Sequence, residues 1–391
     1  WRYVRYQAKR RLADMPKNEA IAAVTRWIGS LDQSDTKLEH RLYEAIGVFE
    51  SHESVNRPLL ERLLKATDYR ARAYATRVAG RWHDQLEEPL DLLRRSITDE
   101  HARVRLEAIV ACSDIPTADS MAVAAKAVDR ATDRFTNHAL TQTVHALAPH
   151  WRPALNQGEL AFDNPAGLIY VLQAYGGKDV AGQVRGLIQS NEISTNGLRQ
   201  LLQLLARVGN ADDLQNVFNY AQRDPELLTS LPAIAEVRRL PPSGAVHREL
   251  EVLLKHENAI VRSSAARLSG IWQQRQLIPM LQPIVDSIDD DQVRAAAIHS
   301  LAELAPDSAV KTFQPFIAPE HSPRIYLAAL EAVARQDISS AAIAGLRLLT
   351  ELEDAKLYGP VLSTIMNRRG AAEAVAAALK EARSEEHTSE L

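Results

Sequence analysis

A short phrase, Val-Arg-x-x-Ala, recurs along this chain at the head of alanine- and leucine-rich segments, and that recurrence restricts the possible folds more than any other feature. It stands at Val104-Arg105 with Ala108, at Val261-Arg262 with Ala265, and at Val293-Arg294 with Ala297. Val4-Arg5 with Ala8 and Tyr69-Arg70 with Ala73 fit the same frame. The steps from 261 to 293 and from 69 to 104 are 32 and 35 residues, a period at which self-similar segments build stacked helical layers. Between Asp290 and Pro306, Val293, Ala297 and Leu301 fall at i, i+4 and i+8 and so share one helix face.

Composition agrees with stacked helices. The 391 residues exceed what one ordinary core accommodates, but a solenoid grows by adding layers and needs no second globular core. Hydrophobic residues make up 46% and aromatics only 5%, a balance suited to closely approaching helices. The 16 glycines and 18 prolines lie mostly between periodic segments, where they end helices. Net charge is −4, too weak a footprint to argue for nucleic acid, which asks for a clustered basic face, so nucleic acid is not the expected partner. The single cysteine, Cys112, excludes an internal disulfide and any multi-cysteine metal site, and between Ala111 and Ser113 it reads as a small core residue. No apolar run approaches the length of a membrane span.

Along the chain the segments alternate in pairs. Residues 1–151 read as an N-terminal block of repeats, 166–240 as a middle group and 245–382 as a C-terminal block. Residues 152–165, rich in Pro, Gly and Asn, read as an irregular linker through which no helix runs. The opening from Trp1 to Ala13 reads as the second helix of a repeat whose first helix is missing, so the native chain is expected to extend beyond it. Arg383 to Leu391, RSEEHTSEL, resembles the translation of a sequencing-adapter oligonucleotide and is read as an assembly artefact on a metagenomic fragment.

The motif has a packing reason. The β-branched residue and the alanine face the neighbouring helix, where a small side chain lets axes approach to about 8–10 Å, while the arginine reaches an acid or carbonyl in the adjacent layer. Asp99, Asn258 and Asp289 to Asp291 precede second helices and are expected N-caps. Trp27, Trp82, Trp151 and Trp272 sit near helix ends and are expected to be buried. These residue types at this period resemble HEAT repeats, which implies an all-α, right-handed α-solenoid of about ten or eleven helix pairs, with second helices on the concave side.

The opening WRYVRYQAKRRLAD and the segment W-x-P-A-L-x-x-G-x-L-x-F from Trp151 to Phe162 resemble the HEAT region of planctomycete-type membrane-bound dehydrogenases. In that family the region lies between a β-propeller and a c-type haem domain. The resemblance implies a periplasmic or cell-surface protein whose redox chemistry resides in flanking domains, making this stretch a spacer. With Cys112 alone there is no C-x-x-C-H motif, so no haem site is carried onto any residue here.

Candidate chemistry is thin. His138, His145 and His150 lack the i, i+4 spacing of a helical metal pair. The His52-Glu53 and His256-Glu257 dipeptides are similar to the ligand pairs of a HEAT-repeat di-iron hydroxylase family, but do not recur at equivalent points of successive repeats. Gly176-Gly177-Lys178 follows a helix instead of a strand and reads as a helix stop. Neither a catalytic constellation nor a cofactor site emerges from these residues. The one basic concentration is Arg70, Arg72, Arg77 and Arg81, with Arg2, Arg5, Lys9, Arg10 and Arg11 upstream; Arg70, Arg77 and Arg81 share a helix face and are the candidate groove contacts. The leading expectation is a non-catalytic scaffold whose partners are proteins, possessing no membrane span in this stretch. The alternative is a groove that holds nucleic acid or an acidic peptide.

Overall fold

The computed structural model describes residues 2–189, 193–288 and 290–389; the side chains of Arg2 and of residues 382–389 lie outside that description. The expectations for Trp1, for Asp289 as a cap, and for the side chains of the tail from Arg383 onward therefore fall outside the described residues. Among the described residues the regular structure is helical, and no helix is long and apolar enough to cross a membrane. The chain divides into two compact units, residues 1–201 and 202–391.

The first unit comprises α1 (Arg2–Asp14), α2 (Lys17–Gly29), α3 (Leu38–Ser51), α4 (Arg57–Leu64), α5 (Tyr69–Arg81), α6 (Pro89–Ser96), α7 (Ala102–Ser113), α8 (Ala118–Ala125), α9 (Arg134–Ala146), α10 (Ala148–Gln157), α11 (Pro165–Tyr175) and α12 (Ala181–Gln189). The boundary falls within α13 (Thr195–Val208). The second unit continues with α14 (Ala211–Ala221), α15 (Pro225–Arg238), α16 (His247–Leu254), α17 (Ala259–Ile271), α18 (Ile278–Asp286), α19 (Asp291–Leu304), α20 (Ala309–Phe313), α21 (Pro323–Gln336), α22 (Ile338–Glu351), α23 (Tyr358–Met366) and α24 (Ala371–Ser389). The breaks expected at 152 and 241 thus lie inside units instead of between them.

Within each unit the second helix of a pair stacks on the second helix of the next: α5 on α7 on α9, and α15 on α17 on α19 on α21. All of these but α21 are started by a side-chain cap. Asp68 accepts from the Arg70 N–H, Asn258 from Ile260 and Asp290 from Gln292, bonds worth about 1 kcal/mol each. For α7 the cap is His101, whose ring nitrogen accepts from Arg103, and not Asp99 as expected; Asp99 is drawn to Arg72 instead.

Small residues set the spacing of the stack. A Cβ added to Gly80 of α5 would stand 2.6 Å from the Ala111 Cβ of α7, and one added to Gly270 of α17 would stand 2.6 Å from the Ser300 Cα of α19. Both glycines lie twelve residues after their caps, so the same close approach recurs in each unit. A hydroxyl also reaches back across two seams of the stack: Ser300 Oγ of α19 donates to the Ala266 carbonyl of α17 at 2.6 Å, and Thr143 Oγ1 of α9 to the Ile109 carbonyl of α7 at 3.4 Å.

Three expectations are corrected. The helix α10 runs through Pro153 to Gln157, so the irregular stretch shrinks to 158–164. A proline six residues into a short helix removes one ladder bond, and Gly158, at φ +74°, supplies the left-handed stop instead. Trp27 is 40% exposed, whereas Trp82, Trp151 and Trp272 are buried. Val4 is 70% exposed and Ala8 is exposed too, so α1 does not bury its motif positions against a neighbour.

Candidate functional site

The motif arginines of α7, α17 and α19 bond backbone carbonyls that precede their helices, and the structure shows which arginine of α5 corresponds to them. In α7, Arg105 stands four residues after the cap and its Nη1 donates to the Asp99 and Glu100 carbonyls at 2.8 and 3.0 Å. In α17, Arg262 does the same to the His256 and Glu257 carbonyls at 2.7 and 2.8 Å. In α5 the residue in this place is Arg72, bonded to the Ala66 and Thr67 carbonyls at 2.9 and 2.8 Å. The frame Tyr69-Arg70 with Ala73 is therefore two residues out of phase; Ala71-Arg72 with Ala75 is the equivalent of Val104-Arg105 with Ala108. The physical reason is reach, since only an arginine one turn past the cap returns to the preceding carbonyls. In α19, Arg294 bonds the Val285 carbonyl at 3.0 Å. Val104, Ala108, Val261, Ala265, Val293 and Ala297 are buried as the packing argument requires.

Arg72 and Arg105 also reach the following layer. Arg72 makes a forked pair with Asp99, Nε and Nη2 at 2.8 and 3.0 Å, with both side chains 9% exposed. Arg105 Nη2 donates to the Ala131 carbonyl at 2.7 Å. Burial alone would raise the Asp99 carboxyl, but the Arg72 guanidinium and the His101 N–H overcome it and hold Asp99 below the usual carboxylate range.

Arg70, Arg77 and Arg81 share the exposed face of α5. Arg70 lies over the Tyr69 ring at 5.4 Å, and Tyr69 is stacked on His101. Arg81 stands 3.7 Å from Glu50 and 3.8 Å from Glu53. Arg77 makes no ion pair among the described residues. Tyr74, between them, donates to Glu50, and burial with that bond pushes its phenol up.

Arg77 and Arg81 are nine and thirteen residues after Asp68. In the second unit the same two positions hold a charge network that sequence reasoning missed. Glu303 of α19, 8% exposed, lies 3.3, 3.5 and 3.0 Å from Arg239, Arg267 and Arg335. Glu331 of α21 lies 2.8 Å from Arg335 and 3.3 Å from Arg368, and Glu236 of α15 lies 2.5 Å from Arg267. His299, 3.8 Å from Glu331, is pushed down to about 4 by burial together with the Arg267 and Arg335 charges, against the pull of Glu331 and Glu303. It is neutral at neutral pH. A signal was present, because residues 267, 299 and 331, and again 303 and 335, are spaced by 32.

A cleft of about 790 Å³ opens between α1 and the α2–α3 pair. Its floor is apolar, with Leu12, Val24 and Val48, and Tyr6 and Trp27 stand at its sides. Its rim carries Arg5, Lys9 and Arg10 against one carboxylate, Glu44. Both Arg5 and Lys9 pair with that carboxylate, Lys9 at 3.0 Å. A smaller recess of about 230 Å³ shares Arg5 and His40 with it and adds Arg70.

The other candidates resolve into local roles. Cys112 is buried, which pushes its thiol up to about 12. His138 and His145 are exposed on α9, and His145 faces the Tyr175 ring. A ring nitrogen of His52 bonds the Leu12 carbonyl at 2.8 Å, and His256 accepts from the Asn258 N–H at 3.0 Å. Gly176, at φ +64°, ends α11 as a left-handed cap.

Comparison with known proteins agrees with this geometry. The family model described as HEAT repeats matches residues 56–144 and 248–334, one stretch in each unit. No curated protein matches the sequence. Among solved structures, the karyopherin Kap121p bound to the extreme C-terminus of the protein phosphatase Cdc14p superposes with a TM-score of 0.53 at 11% identity, covering 95% of this chain and 48% of that one. A mutant of the same karyopherin gives 0.44 at 12% identity, over 97% and 44%. The C-terminal fragment of the Chaetomium thermophilum cohesin loader SCC2 gives 0.38 at 14% identity, over 94% and 35%. The chain spans about half the length of the karyopherin it resembles. Nothing in the comparisons points to a dehydrogenase, and what they support is an all-α solenoid built on HEAT repeats.

Proposed function

We propose that the chain is a non-catalytic, protein-binding scaffold. The observation that carries this reading is the exposed face of α5, where Arg70, Arg77 and Arg81 stand in line and Arg77 has no ion-pair partner among the described residues. In the second unit the corresponding positions are occupied by charges that satisfy one another, so the two units differ in what they offer a partner. A mixed-charge face of this kind suits an acidic protein segment better than a phosphate backbone, because Glu50 and Glu53 already hold Arg81. The karyopherin it resembles is bound to a protein terminus, which is consistent with such use of the fold. Anisotropy titration of labelled acidic, neutral and basic peptides against the protein and its Arg77→Glu/Arg81→Glu variant tests the reading. Preference for acidic peptides that the variant loses supports it, and indifference to peptide charge refutes it.

A finer version makes the scaffold a spacer between redox domains of a larger periplasmic or surface protein. It rests on the resemblance of the segment Trp151 to Phe162 to dehydrogenase-associated HEAT regions. Reading the coding sequence through both ends of this stretch tests it: a propeller upstream and a C-x-x-C-H domain downstream support the spacer, and an ordinary start and stop codon exclude it.

A further inference from the structure

The helix α1 is attached differently from its neighbours. None of its described side chains is fully buried, and polar contacts hold it. His52 bonds the Leu12 carbonyl, and Arg5 and Lys9 meet Glu44. Between α1 and α3 the space that side chains would fill in an ordinary layer remains as the cleft. Its α1 wall runs from Arg5 to Ala13, about 12 Å along the helix axis. That length accepts two turns of a second helix, enough for anchors at i, i+3 or i+4, and i+7.

The charge around the cleft is one-sided. Three cations face a single carboxylate, and Arg10, exposed on the rim, makes no ion pair among the described residues. Desolvation, and after it the Arg5 charge, hold the Lys9 ammonium below its ordinary value against the pull of Glu50. The adjoining recess continues this rim to Arg70, while its one acid, Asp68, is engaged as the cap of α5. An apolar floor argues for side chains and not for a nucleic-acid backbone. Half-exposed aromatics such as Trp27 and Tyr6 are the residues that anchor protein interfaces.

We propose that this cleft is the docking site for an acidic amphipathic helix of a partner protein, its apolar face against Trp27 and Val24 and its carboxylates against Arg5, Lys9 and Arg10. The proposal rests on the protein-binding reading above but places the partner at α1–α3 instead of along α5.

The test titrates the full chain with three labelled peptides: a helical Glu/Leu peptide carrying leucine at i, i+3, i+4 and i+7, its Lys-for-Glu counterpart, and a scrambled Glu/Leu peptide. The first is expected to bind, and the other two at least about tenfold more weakly. Arg10→Glu, which breaks no contact of the fold, and Trp27→Ala are each expected to cost about tenfold in affinity, with unchanged circular dichroism. Equal binding of the three peptides, no binding, or binding insensitive to both variants overturns the proposal. So does self-association, or capture of a single-stranded oligonucleotide, that the same two variants abolish, because the occupant is then a second copy or a nucleic acid. Binding lost in Arg77→Glu/Arg81→Glu but kept in Arg10→Glu and Trp27→Ala removes the cleft while leaving the protein-binding reading intact.

Discussion

Replacing Gly270 by alanine adds one methyl group to a tight seam of the second unit, and its cost follows from the distances. The new Cβ would lie 2.6 Å from the Ser300 Cα and 2.7 Å from its Oγ. The first of these is backbone and has no rotamer by which to withdraw, so α17 and α19 must separate. Overpacking of this kind costs about 1–3 kcal/mol. Separation also stretches the 2.6 Å bond from Ser300 Oγ to the Ala266 carbonyl, worth about 1 kcal/mol. Against this, alanine is favoured over glycine in a helix by about 1 kcal/mol. The balance is a loss of roughly 2 kcal/mol. Gly186, inside α12 with nothing within 4 Å of its added Cβ, is the control, and Gly186→Ala is expected to gain about 0.5–1 kcal/mol. Urea unfolding followed by helical circular dichroism measures both variants. If Gly270→Ala is as stable as Gly186→Ala, the helices are not held at contact by the absence of a side chain, and the reasoning fails.

Other substitutions probe the arginines, the core and the charge network. Arg72→Met leaves Asp99 buried without its partner and is expected to cost about 3–5 kcal/mol in the same urea assay; a change below 1 kcal/mol would show that the pair is not desolvated. The depressed Asp99 carboxyl contributes stability above its unfolded value, near 4, that is lost as pH falls below it, so Arg72→Met should also remove part of the acid sensitivity of unfolding. Ala297→Asp puts a charge at a fully buried contact and should cost several kcal/mol, detectable as a collapse of the urea midpoint. His299 binds its proton only near pH 4 in the fold but near 6.5 when unfolded. The unfolded state thus takes up more protons between those values, and stability should fall by about 2–3 kcal/mol as pH drops across that window. His299→Gln should flatten that part of the profile, and an unchanged slope would place the effect elsewhere, for instance on Glu331.

The repeat architecture was legible because its determinants are local and periodic. Val104, Val261 and Val293 each stand three residues after a cap, with the arginine next to them, and no distant residue is needed to see it. The frame failed at α5 because Tyr-Arg-Ala-Arg-Ala-Tyr-Ala, residues 69–75, contains two overlapping versions of the motif. Choosing between Arg70 and Arg72 depends on which guanidinium reaches the Ala66 and Thr67 carbonyls, a matter of backbone path. Pro153 misled because its cost depends on where in the helix it falls, and Trp27 because aromatic character alone does not say whether a neighbouring helix covers it. The network around Glu303 was written in the sequence as a 32-residue spacing of charges, but a periodic charge and a periodic solvated surface look alike until burial is known. The cationic rim of the cleft beside α1 stood in the sequence as Arg5, Lys9 and Arg10, but the cleft itself did not, since a cavity is a property of how three helices fail to meet.

The forward reach of Arg72 and Arg105 bears on what is being repeated. Each guanidinium closes the turn of its own layer and then leans on the turn of the next, to Asp99 in one case and to the Ala131 carbonyl in the other. A helix pair lifted out on its own would therefore carry a cation whose counterpart stays behind. The piece that is complete in itself begins in the middle of one pair and finishes in the middle of the following one. Duplication, deletion or grafting cut at the seams between pairs would sever these bonds, whereas cuts half a repeat away would pass them on whole.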